Sequence, residues 1–365
     1  MSLSEQHTLV LTADGQLIVP DLADGLLPMA AALGAVDAGP LPSRLGVPRL
    51  IATRALRLPV GDPESLPERE LWRWHGRGVR ALREAENAGW KPAPQQDGAS
   101  LLDLKIEVAT RLLGSPCRLC ARRCGVDRRR GERGLCGLDD TLRLGPATRL
   151  WGEEAELGRP GVALPVLGCG LRCVFCYRRE YLDPATAWTS RAVPDGGTHL
   201  HFLGGNPDES LPGVLRLLAS EEDPRPIVWN THSYVTPGGA ALLEGVVDAY
   251  VADLKFGPGE CAAAIAGVRG YWPAATAALR RFARSGARLI VRHVALPGHL
   301  ECCARPAAAW ARAHLPRARV RVLAQYEPFG PAWQRPGLDR RLEAAEREAV
   351  AALGDDPETK GWDDA

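Results

Sequence analysis

Short apolar runs alternate with helix-length segments from about residue 162 onward. The predicted strands are VALPVL, THLHFL, PIVWN, VDAYVADL, RLIVRHVAL and RVRVLAQY, and helical segments lie between them near 209–220, 237–245, 273–285 and 303–314. Because parallel strands need long crossovers, this alternation predicts an α/β fold with a parallel sheet covered by helices. Such a sheet either opens out or curls into a full or partial barrel. In both forms ligands bind at the carboxyl ends of the strands.

The flanking regions carry weaker patterns. HTLVLTADGQLIV (7–19) predicts a small β element, and PERELWRWHGRGVRALREAENAG (67–89) and LLDLKIEVATRLLG (101–114) have helical character. KPAPQQDGAS (91–100) predicts a linker, and GLDRRLEAAEREAVAALG (337–354) predicts a terminal amphipathic helix. We therefore predict four regions: an N-terminal extension of unknown role over 1–100, a helix and cysteine-rich knot over 101–150, the β/α domain over 151–330, and a C-terminal helix and tail over 331–365.

Composition narrows the class of protein. The 365 residues are 45% hydrophobic and 24% charged, which are ordinary globular values. A formal net charge of +1 gives no global attraction for nucleic acid or acidic membranes. The first residues, MSLSEQHTLVLTADG, lack the features of a signal peptide, and the longest apolar runs are too short to cross a bilayer. We expect a cytoplasmic protein with neither a membrane nor a nucleic-acid partner.

Cysteine placement suggests metal chemistry. Seven of the ten cysteines lie between Cys117 and Cys176, and a reducing cytosol disfavours disulfides. Directly after the first strand, the thiols of the loop Cys169-x3-Cys173-x2-Cys176 can bind three irons of a [4Fe–4S] cluster and leave the fourth open. Gly168 and Gly170 give the loop backbone freedom. A three-cysteine zinc site completed by a distant histidine, or plain buried thiols, are the alternatives.

With aromatic Phe175 in its last gap, this loop resembles the signature of the radical S-adenosylmethionine (SAM) enzymes. The resemblance implies a partial (β/α)6 barrel in which Cys169, Cys173 and Cys176 ligate the cluster, SAM chelates the open iron and Phe175 lies beside the adenine. It also implies that the reduced cluster cleaves SAM to a 5′-deoxyadenosyl radical, which abstracts hydrogen from the substrate. A reducing partner of flavodoxin or ferredoxin type would supply the electron.

Motifs at the ends of later strands extend the resemblance. HFLGGNP (201–207) is similar to the family's GGEP motif, which implies that the backbone of Gly204 and Gly205 helps to receive the SAM amino group. Asn206 stands where relatives usually have Glu. In VADLKF, Asp253 and Lys255 resemble the D-x-K pair of the pyruvate formate-lyase activating enzymes, where these groups contact SAM. An exposed salt-bridging strand end is the alternative for this pair.

Three polar residues at the ends of two other strands are candidate SAM contacts: Asn230, Arg292 and His293. The alternative for each is a strand-end polar group that is hydrogen-bonded within the protein.

Upstream, Cys117, Cys120, Cys124 and Cys136 form a closed set of four thiols, here called the knot. Four thiolates suit zinc or a second Fe–S cluster, and metal binding would supply folding energy. The seven arginines of this segment either offset the negative charge of the thiolates or bind RNA. The balanced net charge of the chain and the scarcity of aromatic residues favour the charge-offsetting role. The remaining cysteines are Cys261, Cys302 and Cys303. Because lone or adjacent cysteines lack the spacing of cluster ligands, we expect these three not to bind metal.

The order of these motifs makes the resemblance narrower. The knot, WGEE (151–154), the cysteine loop, VDAYVADLKF and LIVRHVALPGH follow one another as in the uncharacterised Fe–S proteins related to pyruvate formate-lyase activating enzyme, over about 105–330. Tyr177 and Arg178 replace the small polar pair of relatives, which leaves the substrate open. We predict a radical SAM enzyme that acts on a small molecule or peptide. The alternatives are a glycyl-radical-enzyme activase and a non-enzymatic zinc or Fe–S module that binds RNA or relays electrons.

Overall fold

The computed structural model describes residues 10–11, 17–18, 46–89, 97–150, 154–158, 160–182, 193, 195–222 and 224–354. Two short antiparallel pairs precede a larger sheet. The strands, in chain order, are β1 (Val10–Leu11), β2 (Leu17–Ile18), β3 (Arg57–Leu58), β4 (Ala99–Ser100), β5 (Thr148–Leu150), β6 (Gly161–Val166), β7 (Leu200–Gly204), β8 (Ile227–Thr231), β9 (Ala249–Asp253), β10 (Arg288–Val294) and β11 (Arg319–Leu323).

The larger sheet has seven strands in unbroken chain order, from β5 at one edge to β11 at the other. Strands β6 to β11 run parallel, and β5 is antiparallel to β6. All six strands expected from the apolar runs are present, so the parallel α/β sheet is confirmed. No hydrogen bonds join its two edges among the described residues, and curvature into a partial (β/α)6 barrel stays a prediction.

Helices fill the connections and cover the sheet. They are α1 (Arg49–Ala55), α2 (Glu68–Ala88), α3 (Leu101–Arg111), α4 (Leu211–Ser220), α5 (Pro237–Leu243), α6 (Cys261–Ala266), α7 (Tyr271–Arg284), α8 (Arg305–His314) and α9 (Ala344–Ala351). The four helical segments expected between the strands are confirmed as α4, α5, α7 and α8. No described helix combines the length and apolarity needed to cross a membrane.

The two faces of the sheet differ in character because side chains alternate along a strand. Phe202, Trp229 and Tyr250 lie on the helix-covered face and are fully buried, which stabilises the fold by roughly 3 kcal/mol for each large apolar side chain. On the opposite face, Val228, Ala249, Val251 and Ile290 pack around Leu157. Farther along that second face, toward the carboxyl ends of β8 to β10, the side chains become polar. We call this second face the site face.

The described part of the N-terminal extension packs onto the helix layer. Leu50 and Leu71 of the extension, and Leu104 of the helix that follows it, belong to the same apolar cluster as Trp229. The backbone N–H of Arg49 donates to Asp248 Oδ1 at 3.1 Å, directly before β9. Residues 46–89 and 97–114 therefore contribute to the core that supports the sheet.

Of three local predictions, one is revised, one is confirmed and one is only partly tested. The terminal helix covers 344–351 instead of 337–354, because Glu343 and Glu346 form a capping box at its start. Pairing of β1 with β2 confirms the small β element near the N-terminus. Most of the predicted linker and the residues 151–153 of WGEE lie outside the described residues.

Candidate active site at the carboxyl ends of the strands

The three-cysteine loop leaves β6 through a tight turn. Gly168 has φ +85°, and a side chain there would come within 2.9 Å of the Cys136 carbonyl, so the position requires glycine. Cys169 and Cys173 are buried and Cys176 is half-buried. Burial raises the pKa of all three thiols, that of Cys173 to about 12, and the positive charge of Lys255 opposes this rise at Cys173 and Cys176. Without a bound cation, these thiols stay protonated at neutral pH.

The GGNP turn docks directly on the cysteine loop. Gly205 N–H donates to the Val166 carbonyl at 2.8 Å, and Asn206 N–H donates to the Gly168 carbonyl at 2.9 Å. Gly204 has φ +105°, and a side chain at Gly205 would collide with the Gly168 carbonyl. Both glycines are therefore needed for the close approach of β7 to the loop, and the two motifs form one structural unit.

A buried carboxylate that sequence reasoning missed joins this unit. Glu209 accepts a hydrogen bond from Gly170 N–H at 2.7 Å and another from the Asn206 amide at 2.5 Å. The Tyr234 N–H donates to His232 Nδ1, so the ring proton is on Nε2, which faces Glu209 Oε1 at 3.2 Å. Asn206 carries no charge, yet a carboxylate three residues later in the chain reaches the cysteine loop.

Gly170 is required here for contact rather than for backbone freedom. Its φ is not positive, and a side chain at this position would collide with Glu209 Oε1. The expectation that Gly168 and Gly170 both relax the backbone is therefore right for Gly168 alone.

Glu209→Gln is expected to lower the free energy of unfolding by about 2 kcal/mol. An amide NH₂ would then face N–H groups whose hydrogen bonds the carboxylate now accepts, and one of these groups would lose its acceptor. Urea unfolding followed by circular dichroism measures the difference. The exposed Glu222→Gln is the matched control and should leave the unfolding midpoint in place. Equal midpoints for both variants would contradict the role given to Glu209.

The D-x-K pair lies in a charged network that joins three strand ends. Lys255 Nζ is 2.5 Å from Asp253 Oδ2, and Arg292 Nε is 3.0 Å from Asp253 Oδ1. Arg292 Nη2 also donates to Asn230 Oδ1 at 3.2 Å. Burial favours the neutral acid, but Lys255 and Arg292 outweigh it and lower the pKa of Asp253 to about 2. The carboxylate thus stays ionised at neutral pH and fixes two cations on the site face.

The network continues to β11 through the end of the WGEE motif. Arg292 Nη1 is 3.4 Å from Glu154 Oε1, and Glu154 also pairs with Arg321. Arg321 Nη2 is 2.7 Å from Glu156 Oε1. Glu156 and Arg321 were missed, although the alternating arginines of RVRVL place both Arg319 and Arg321 on the site face.

Two of the predicted SAM contacts have other neighbours. His293 follows Arg292 in β10 and so points to the helix-covered face, where its Nδ1 is 2.6 Å from the Leu254 carbonyl. Burial lowers the pKa of His293 to about 4. Phe175 packs edge-on against Phe256 and Tyr326, with ring centroids 6.4 and 5.8 Å away. The structure places Phe175 near the D-x-K segment and separates His293 from Arg292.

The knot abuts the cysteine loop. Cys117, Cys120 and Cys136 are buried and Cys124 is half-buried. Arg122 Nε donates to the Gly170 carbonyl at 2.6 Å.

Several of the knot's arginines are engaged with the protein itself. Arg128 Nη1 donates to the Glu209 carbonyl at 2.7 Å, and Arg118 pairs with Glu68 at 3.0 Å. Such internal contacts favour a structural role for these side chains over RNA binding.

A second group of thiols assembles where no ligands were expected. Cys261, Cys302 and Cys303 meet His299, and one ligand atom from each lies within 4.8 Å of all the others. Their spacing in sequence gave no signal, because the residues come from two separate connections, after β9 and after β10.

Comparisons with known proteins give partial likenesses. No family profile matches the chain. The uncharacterized protein MJ0674 of Methanocaldococcus jannaschii is 29% identical over 315 residues, which cover 81% of this chain and 90% of that protein.

Among solved structures, Streptococcus suis SuiB bound to precursor peptide SuiA has a TM-score of 0.37 and 15% identity, over 52% of this chain and 44% of that one. SuiB bound to S-adenosylmethionine has a TM-score of 0.38 and 16% identity, over 50% of this chain and 44% of that one. This chain spans less than half the length of these solved structures, and TM-scores at this level do not establish a shared fold.

Proposed function

We propose that the protein is a radical SAM enzyme whose cluster is ligated by Cys169, Cys173 and Cys176. The observation that carries the proposal is the placement of three free, largely buried thiols at the carboxyl end of the first parallel strand, where the positive charge of Lys255 acts on Cys173 and Cys176. In parallel α/β sheets this edge is where ligands bind. The substrate is a small molecule or a peptide.

The donor set fits a [4Fe–4S] cluster with one open iron. Within the described residues, the three loop thiols are not among the groups that converge closely enough to bind one metal ion together, as expected when each thiolate binds a different iron. Their raised pKa values mean that a bound cation is needed to hold them as thiolates. When bound, the cluster supplies the electron and SAM supplies the carbon radical that removes hydrogen from the substrate.

The protein's own residues would bind SAM and orient it beside the cysteine loop. Lys255 and Arg292 present two fixed cations that suit the carboxylate of an amino acid such as the methionyl part of SAM. Asp253 holds both cations in place through contacts of 2.5 and 3.0 Å. Gly204 and Gly205 bring the backbone of β7 against the loop, where a main-chain carbonyl can accept from an amino group.

Exposed aromatic side chains beside the loop support an organic substrate with apolar surface. Tyr177 directly follows the last cysteine and is 53% exposed, and its ring centroid is 6.2 Å from that of Phe329. Ala332 N–H donates to the Val174 carbonyl at 3.2 Å, which joins the Phe329 and Trp333 segment to the loop. Trp333 is 63% exposed. Such a patch suits docking of a peptide or an aromatic small molecule.

The non-enzymatic alternative explains fewer of these features. An electron relay needs every iron ligated and has no use for a pair of cations beside a three-thiol loop. A glycyl-radical-enzyme activase shares the same chemistry and differs only in its substrate, a glycine loop on a partner protein.

The test is formation of 5′-deoxyadenosine. Protein reconstituted anaerobically with iron and sulfide is reduced in the presence of SAM, and nucleoside and methionine are quantified together. Equimolar products in amounts exceeding those from a cluster-free control are expected. Absence of both products from a sample shown to contain the loop cluster would contradict the proposal.

A further inference from the structure

Four metal-ligating side chains that belong to neither the cysteine loop nor the knot meet at the turns that follow β9 and β10. Cys261 begins α6, after the D-x-K segment of β9. His299 precedes a π-helical turn over Leu300–Ala304, which carries Cys302 and Cys303. Cys303 is buried, Cys261 and His299 are half-buried, and Cys302 is exposed.

From this arrangement we infer a mononuclear zinc site with a Cys₃His ligand set: Cys261, His299, Cys302 and Cys303. A tetrahedral zinc ion with Zn–S bonds of about 2.3 Å and a Zn–N bond of about 2.0 Å requires sulfur atoms about 3.8 Å apart and nitrogen about 3.5 Å from sulfur. The Cys261–Cys302 and Cys302–Cys303 sulfur pairs are 3.5 and 3.9 Å apart. His299 Nδ1 is 3.4 Å from the Cys261 sulfur and 3.3 Å from that of Cys302.

This spacing selects a single ion. One ligand atom from each of the four residues lies within 4.8 Å of the others, which is too compact for thiolates on separate irons of a cluster. A disulfide would use two of the thiols and leave no role for the converging ring nitrogen and the remaining thiol. Three thiolates and one imidazole are a set that zinc prefers, and a closed set of four indicates a structural site.

The site ties the D-x-K segment to the turn after β10. Gly257, two residues after Lys255, lies directly against the backbone of Cys302 and Cys303. A side chain at Gly257 would collide with the Cys302 carbonyl, so the two turns are in direct contact. Bound zinc would hold the segment that carries Lys255 against β10, which carries Arg292. The zinc assignment itself does not depend on the proposed enzymatic function.

The first experiment measures zinc and iron per chain by mass spectrometry in protein purified anaerobically without reconstitution. Cys261→Ser/Cys302→Ser should lose about one zinc per chain relative to the unmodified protein. The matched control, Cys117→Ser/Cys120→Ser in the knot, should keep that zinc whatever metal the knot binds. Unchanged zinc in the Cys261→Ser/Cys302→Ser protein would overturn the assignment.

A second measurement uses the unmodified protein and so does not depend on the variants folding. Exposed Cys302 is labelled with N-ethylmaleimide before and after zinc removal by a chelator, and peptides are quantified by mass spectrometry. Zinc should slow labelling of Cys302 at least tenfold, and added Zn²⁺ should restore the protection. Equal labelling rates, or a Cys261–Cys302 disulfide in the anaerobic protein, would overturn the assignment.

Discussion

Cys173→Ala is expected to reduce 5′-deoxyadenosine formation to background, a loss of at least about 1,000-fold, because two thiolates cannot hold a cluster that needs three protein ligands. The charges of Lys255 and Asp253 both act on the Cys173 thiol, so its loss also removes a ligand beside the proposed SAM contacts. Iron and acid-labile sulfide per chain, together with product formation, are the measurements.

Val174→Ala is the matched control for this experiment. Val174 is the next residue of the same loop. Its backbone N–H donates to the Ile265 carbonyl at 3.0 Å, a hydrogen bond that the substitution leaves in place. This variant should keep its iron and form product. Product formation by Cys173→Ala at the rate of Val174→Ala would remove the loop from the chemistry.

Lys255→Met is expected to weaken SAM binding about 100-fold, equivalent to about 2.7 kcal/mol, while iron in the loop is retained. The positive charge of the ammonium acts on the Cys173 and Cys176 thiols, and its pKa, despite burial, is raised by the carboxylate of Asp253. A partly desolvated cation of this kind contributes strongly to binding of a carboxylate. Methionine has a similar volume and no charge, so the change isolates the charge.

Equilibrium dialysis with labelled SAM measures the affinity in the reconstituted, unreduced protein. Glu260→Gln, an exposed position in the following turn, is the matched control and should bind SAM like the unmodified protein. If Lys255→Met binds SAM with unchanged affinity, the D-x-K pair is only a structural ion pair.

The sequence predicted the β/α domain well because its signals are local. Six apolar runs separated by helix-length segments can form few arrangements other than a parallel sheet, and strand ends then converge at one edge. This reasoning placed Asn230, Asp253 and Arg292 near one another, and the structure joins them by hydrogen bonds and ion pairs. His293 was grouped with Arg292 although successive strand residues point to opposite faces, a distinction that the two-residue period already contains.

Other parts of the site depend on contacts that sequence spacing does not show. Glu209 reaches the cysteine loop only because Gly170 has no side chain and Asn206 folds back to the same carboxylate. Cys261 and Cys302 are 41 positions apart and touch because β9 and β10 are neighbours in the sheet. Pairing of this kind is set by tertiary packing, which no motif in a single sequence records.

The central claim is that three thiols leave one iron open and that SAM occupies it. Electron–nuclear double resonance on the reduced, reconstituted protein, with SAM carrying ¹⁵N in its amino group and ¹⁷O in its carboxylate, tests this directly. We predict hyperfine coupling of both labels to the cluster. A reduced cluster that has no coupling to either label at saturating SAM would contradict the account.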